Sequence, residues 1–234
     1  IEWGFQCEGE THPWVERVET ATIRVVGSMT TLQERFGKID IYLFDQLLKG
    51  RIAPGMRIVD AGCGSGRNLV YLLREGYEVF AADGSAEAVE SVRRMARELA
   101  PSLPESNFRV EAVEQMSFDE ACADVVLSSA VLHFARDDAH FESMLRGCWR
   151  VLKPGGLFFC RLGSTIGMES QMQHLQGRRY KSPDGSERYL VDEALLVSFT
   201  QRMGELADPL KTTLVHNLRA MTTWVVRKGE QSSL

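Results

Sequence analysis

Long hydrophobic runs are missing from this 234-residue sequence. Runs such as Gly155 to Cys160 fall far short of the roughly 20 apolar residues that a membrane-spanning helix needs. The first residues also lack the basic-then-apolar pattern of a secretion signal. Cysteine is scarce: Cys7, Cys63, Cys122, Cys148 and Cys160 are five in number, widely spaced, with no C-x-x-C pair. That excludes a disulfide framework and a finger-type zinc site, and fits reduced thiols in a cytoplasmic protein. Positive charge is not in excess. The 27 Lys and Arg against 32 Asp and Glu leave a net charge of −5. Such a chain has no general attraction for phosphate backbones, so neither a nucleic acid nor a membrane is expected as partner. Repeats and low-complexity tracts are absent too. What remains is ordinary: 44% hydrophobic and 25% charged residues, enough to build a substantial core.

The opening stretch, residues 1–28, has neither helical nor strand period and is broken at Thr11-His12-Pro13. We expect a poorly structured N-terminal extension there, and one domain over residues 29–234. From Leu32 to Leu48, Phe36, Ile39, Leu43 and Leu47 recur at helical spacing, and Gly50 and Pro54 end the run. Strands and helices then alternate. Strands are expected at Arg57–Ala61, Glu78–Ala82, Phe108–Val110, Asp124–Ser128 and Leu157–Leu162. Helices are expected at Asn68–Arg74, behind the N-cap Ser85, after Asp137 and over Val191–Met203. Residues 163–186 read as a polar, irregular loop. Thr212–Val215 and Met221–Arg227 end the chain as strands with no helix between them, so one of the two must run antiparallel. The fold class is therefore α/β: a Rossmann-like, doubly wound, seven-stranded sheet. It is mostly parallel, has an antiparallel strand in a C-terminal hairpin, and carries helices on both faces.

The chemistry concentrates at Val59-Asp60-Ala61-Gly62-Cys63-Gly64-Ser65-Gly66-Arg67-Asn68. Glycines 62, 64 and 66 allow a tight turn from strand into helix and a close ligand approach to backbone N–H groups. A bare packing turn would need no more than that. Asp83, however, ends the second strand, where an acid can accept from both hydroxyls of a ribose. Arg67 stands where a dinucleotide loop would carry its third glycine. Asp60 would repel a pyrophosphate but attract a ligand bearing an ammonium and a sulfonium. That charge balance favours S-adenosylmethionine over NAD.

The sequence here resembles the class I S-adenosylmethionine-dependent methyltransferases over roughly residues 36–228. Four stretches carry the resemblance: Ile58-Val-Asp-Ala-Gly-Cys-Gly-Ser-Gly, Phe80-Ala-Ala-Asp-Gly-Ser, Ala123-Asp-Val-Val-Leu-Ser-Ser-Ala-Val-Leu-His and Arg150-Val-Leu-Lys-Pro-Gly-Gly-Leu. Gly66-Arg-Asn with Tyr71-Leu-Leu-Arg-Glu-Gly-Tyr is loosely similar to the tellurite-resistance-type small-molecule methyltransferases. The resemblance implies that Asp60 and Gly62 face the methionine part of the cofactor, with Gly64 and Gly66 forming the turn beneath it. It implies Asp83 on the ribose, Gly84 and Ser85 beside the adenine, and Ser129 near the methyl group. Many relatives carry an aspartate after the third strand; Ala112 stands there in this chain, so Val113 or Glu114 is expected to meet the adenine.

The acceptor side is less constrained, because methyl transfer by in-line displacement needs orientation more than it needs a base. His133 is the candidate general base, with a pocket-wall histidine as its plainer reading. Phe134 can stack on an acceptor or fill core. Arg161 can bind an anionic acceptor or pair with a carboxylate such as Glu169. Arg178-Arg179-Tyr180-Lys181 reads as solvated surface, or as a flap over the acceptor. Cys63 is read as small rather than nucleophilic. Asp137, Asp138 and His140 are read as helix capping, so no metal is expected. Three functions stand in order. First is transfer of a methyl group from S-adenosylmethionine to a small-molecule acceptor, giving S-adenosylhomocysteine. Second is a non-catalytic S-adenosylmethionine-binding partner or sensor. Third is an NAD-dependent oxidoreductase with a degenerate glycine loop. Oligomeric state is not legible.

Overall fold

The computed structural model describes residues 31–230. The expected extension over residues 1–28 lies outside them, as does Cys7. Five strands form the parallel part of the main sheet: β1 (Arg57–Ala61), β2 (Glu78–Asp83), β3 (Phe108–Val110), β4 (Ala123–Ser129) and β5 (Leu152–Ser164). Three further strands, β6 (Gln173–Gln176), β7 (Arg179–Lys181) and β8 (Glu187–Tyr189), pair antiparallel as a separate small sheet. The last two, β9 (Gly204–Val215) and β10 (Arg219–Lys228), complete a seven-stranded sheet in the order β3-β2-β1-β4-β5-β10-β9. β10 runs antiparallel to both neighbours, as the missing crossover helix requires. Its turn from β9 places His216 and Asn217 at positive φ, closed by Leu218 N–H donating to Val215 O at 2.8 Å.

Period-two alternation divides the strand side chains between the two faces. Ile58, Val125, Leu127, Phe159 and Val225 pack on one face, against α2 (Ile41–Leu48), α3 (Val70–Arg74) and α4 (Ala86–Leu99). Val59, Val126, Phe158, Trp224 and Val226 pack on the other, against α5 (Asp138–Val151) and α6 (Glu193–Met203). Both layers are apolar and fully buried, which is why β4 reads as a nearly unbroken apolar run. Among the described residues no helix is long and apolar enough to cross a membrane.

Two expectations are corrected. The single helix expected over 32–48 is two: α1 (Leu32–Phe36) ends at Gly37, and Asp40 caps α2 afresh by accepting from Tyr42 N–H at 3.0 Å. The break is built in at Gly37, whose φ is +62° and where a Cβ would lie 2.7 Å from a Val70 methyl. The loop expected over 163–186 is partly ordered as the β6–β8 sheet, whose second hairpin is tied by Ser182 N–H to Ser186 O at 2.9 Å. Its strands are short and mostly exposed, so they carry no alternating apolar signal.

Candidate functional site

The sheet order reverses between β1 and β4, and their carboxyl ends open a crevice at that switch point. The glycine turn leaves β1 there. Gly62 has φ +84°, and a Cβ on it would stand 2.5 Å from a Val131 methyl, so no side chain fits. Gly64 N–H donates to Asp83 Oδ2 and Ser85 N–H to Asp83 Oδ1, both at 2.9 Å. The carboxylate at the end of β2 thus clamps the loop after β1, while its other lone pairs remain for a ligand.

These parts enclose a cavity of about 440 Å³. Asp60, Gly62, Gly64, Asp83, Gly84, Val113 and Ser129, seven of the residues assigned to the cofactor from sequence, line it together, and Phe134 lines it too. Phe134 was expected on the acceptor side. Its 56% exposure and place in the short turn after β4 put it at the rim of this cavity instead. Three expected residues stand behind the wall. Gly66 closes the loop, its N–H donating to Cys63 O at 3.0 Å. Ser85 Oγ caps α4 by accepting from Ala88 N–H. Glu114 is engaged with His140 Nε2 at 3.2 Å. Cys63 lies in the wall as a small residue, its thiol pushed far up by burial.

Asp60 is the electrostatic centre of this cavity. It is 2% exposed, and among the described residues no group donates a hydrogen bond to its carboxylate. Burial raises its pKa to about 7; Arg67 opposes the rise and Asp83 adds to it. A buried carboxyl that faces an open cavity without a partner is matched to a cationic ligand.

A second cavity, of about 330 Å³, adjoins the first, and Arg67 and Ala130 line both. Ala130 has φ +66°, a costly conformation for a residue with a Cβ, held by its N–H donating to Arg161 O at 2.7 Å. His133 and Arg161 line this second cavity. His133 Nδ1 accepts from Gly163 N–H at 3.1 Å, so the neutral ring carries its proton on Nε2. Burial, with help from Arg188 and Arg219, pushes its pKa down to about 4. At neutral pH His133 is therefore a hydrogen-bond donor, and the expected role of general base does not fit its tautomer.

Arg161 pairs with Asp40 at 3.0 Å, not with Glu169, which instead accepts from Gly167 N–H. Asp40 also lies 3.7 Å from Arg67, whose Nη2 donates to Ser129 Oγ at 2.8 Å, and its own N–H donates to Asn68 Oδ1 at 2.9 Å. One buried helix cap thereby ties α2, the glycine loop, β4 and β5 together. Asp40 and Asn68 were not singled out from sequence; the Asx cap following Gly37 was the signal available for Asp40. The basic run 178–181 lines neither cavity. Arg178 pairs with Asp192 and Arg179 with Glu187, while Ser182, Asp184, Ser186 and Arg188 from the same segment reach the second cavity. Asp137 caps α5 at His140 N–H, whereas Asp138, in the first turn, accepts from Tyr189 OH and is not a cap.

Residues 59–160 match the methyltransferase-domain family. An uncharacterised methyltransferase of Synechocystis is 30% identical over 158 residues, spanning 67% of this chain and 63% of that protein. A ubiquinone biosynthesis O-methyltransferase of Methylocella silvestris is 37% identical over 117 residues, spanning 48% of this chain and 43% of its own length. The chain thus spans less than two thirds of either relative. In fold it is similar to the Burkholderia thailandensis 1,6-didemethyltoxoflavin-N1-methyltransferase, solved with that compound and S-adenosylhomocysteine bound. The TM-score is 0.60 at 19% identity, over 80% of this chain and 76% of that one. Names among the relatives run from ubiquinone biosynthesis to tRNA modification, so likeness alone does not select an acceptor.

Proposed function

We propose that the chain carries a class I S-adenosylmethionine-dependent methyltransferase domain and that it transfers a methyl group from S-adenosylmethionine to a small-molecule acceptor. The observation that carries this reading is the pair of cavities meeting at Arg67 and Ala130. The first fits the cofactor. Gly64, over which no atom lies within 4 Å of a would-be Cβ, admits close backbone approach, the unpartnered Asp60 suits an ammonium, and Asp83 suits a ribose diol. Gly84 and Val113 supply the adenine end, in place of the side chain missing at Ala112. The second cavity, at about 330 Å³, suits a small molecule better than a polymer.

Bound in the first cavity, S-adenosylmethionine supplies a methyl carbon on a sulfonium: an acceptor lone pair forms the new bond, the carbon–sulfur pair returns to sulfur, and S-adenosylhomocysteine leaves. The protein's part is orientation. Ser129 and Arg67 shape the junction, and His133 presents Nε2–H to the acceptor. His133 is not placed to take a proton from the nucleophile, since its unprotonated nitrogen, Nδ1, is already held by Gly163 N–H. Cys63, Cys122, Cys148 and Cys160 are free thiols, the support for a reducing, cytoplasmic setting.

Incubation of the chain with methyl-labelled S-adenosylmethionine and a fractionated cell extract tests the reading. Label is expected in the small-molecule fraction, together with S-adenosylhomocysteine. Label in the RNA or protein fraction would overturn the acceptor class, and no S-adenosylhomocysteine from any fraction would overturn the activity.

A further inference from the structure

The second cavity is strongly basic in an acidic chain. Arg67, Arg161, Arg188 and Arg219 line it against one carboxylate, Asp184. Their compensation is incomplete. Arg67 and Arg161 share the single carboxylate of Asp40, and the Nε of Arg161 is buried with no hydrogen-bond partner. Arg219 Nη1 stands 3.6 Å from Asp184 Oδ2, an ion pair longer than a good charge-assisted hydrogen bond. Arg188 has no carboxylate partner among the described residues. Its Nη1 donates to the neighbouring backbone O of Glu187 at 2.7 Å, and its guanidinium lies 4.8 Å from the Phe134 ring centroid. His133, neutral between these groups, offers no negative charge.

The cations arrive from distant parts of the chain. Arg188 comes from β8, in the small sheet, Arg219 opens β10 and Arg161 lies on β5, while Arg67 sits at the junction with the first cavity. Gathering like charges around one cavity is unfavourable unless something of opposite sign is shared there. Leu190, Val215, Ala220 and Met221 provide apolar wall beside the arginines, enough for a carbon skeleton.

Resting on the methyl-transfer reading, we propose that the acceptor is a small organic anion whose carboxylate or phosphate oxygens are held by Arg188 and Arg219. The planar guanidinium forks suit oxyanions of either kind. The phenyl ring of Phe134 holds the Arg188 guanidinium over the seam between the cavities, so the anionic group anchors the acceptor while the rest of it reaches the junction at Ala130.

The test is a ligand-observed NMR titration of the full chain loaded with S-adenosylhomocysteine. Benzoate and phenyl phosphate are compared with neutral benzamide and benzyl alcohol at fixed ionic strength. Benzoate, phenyl phosphate or both are expected to bind at least roughly ten-fold more tightly than the neutral compounds, the size of one charge-assisted hydrogen bond. Arg188→Met and Arg219→Met are each expected to remove that preference, and Arg188→Lys to keep part of it. S-adenosylhomocysteine affinity should stay within about two-fold in Arg219→Met, since Arg219 lines only the second cavity. Equal binding of acids and neutral compounds, no binding of either at millimolar concentration, or an acid preference surviving both Met substitutions together would overturn the proposal. If a variant does not fold, the acid-to-amide comparison on the natural chain still decides. Failure of S-adenosylhomocysteine itself to bind would sink the methyl-transfer reading instead, and the same titrations on the free chain would still decide the anion preference.

Discussion

Asp60 ties stability to function through one proton. Its pKa of about 7 in the folded state, against 3.8 for the ordinary carboxyl, is caused mainly by burial. Because the folded value is the higher one, the carboxyl favours the folded state fully below about pH 4, and that advantage is lost as pH rises through about 7. At about 1.4 kcal/mol per pH unit the gap amounts to about 4 kcal/mol, of which about 2–3 kcal/mol falls between pH 5 and pH 8. Asp60→Asn keeps the shape and removes the titration. Urea unfolding of the ligand-free chain and of Asp60→Asn, at several pH values across that window, isolates the effect, since the other titrating groups cancel in the difference. The variant should gain on the natural chain as pH rises, by about 2–3 kcal/mol in total. It should also bind S-adenosylhomocysteine more weakly, exchanging function for stability. A ligand ammonium beside Asp60 lowers its pKa again, so binding near pH 7 should release a fraction of a proton, detectable by calorimetry in buffers of different ionisation enthalpy. Parallel stability curves for the two proteins, with no proton release, would refute the reasoning.

Asp83→Ala should weaken S-adenosylhomocysteine binding by about 1.5–3 kcal/mol, the range for hydrogen bonds to a charged group, and unchanged calorimetric affinity would remove Asp83 from the ribose. Gly62→Ala forces a Cβ to within 2.5 Å of a Val131 methyl at φ +84°, so urea unfolding should show a loss of about 2 kcal/mol or more; unaltered stability would mean the loop yields freely. Asp40→Ala removes both a helix cap and the carboxylate of Arg161, for an expected loss of about 3 kcal/mol, whereas Asp40→Asn should return the roughly 1 kcal/mol of the cap alone. An Asp40→Asn unfolding curve identical to that of the natural chain would show that the ion pair contributes nothing. At saturating cofactor, kcat should show no limb near pH 6.5 from His133, whose pKa is pushed down to about 4. A limb there that vanishes in His133→Gln would restore the base.

Local patterns in the chain were sufficient for the doubly wound sheet, because each of its signals is short-range. Alternation across buried strands, glycines 62, 64 and 66 after β1, the acid ending β2 and the Ser85 cap are each written within a few residues. The antiparallel β10 was legible too, since two strands without a helix between them leave no parallel connection. Tertiary structure decided what depends on distant partners. The helix expected over 32–48 breaks at Gly37, where Val70 takes the space a side chain would need, a contact that no local spacing encodes. Arg161 finds Asp40, 121 residues away, rather than the nearby Glu169. His133 is a donor because Gly163 N–H takes up Nδ1, and a tautomer is set by whichever group the fold brings to the ring. The basic cavity follows the same logic, since Arg67, Arg161, Arg188 and Arg219, from the glycine loop, β5, β8 and β10, are scattered in sequence and meet only in the fold. Sequence thus marked most of the first cavity, because its lining follows the ends of β1, β2 and β4 in short local stretches, whereas the second exists only where the small sheet meets the main one.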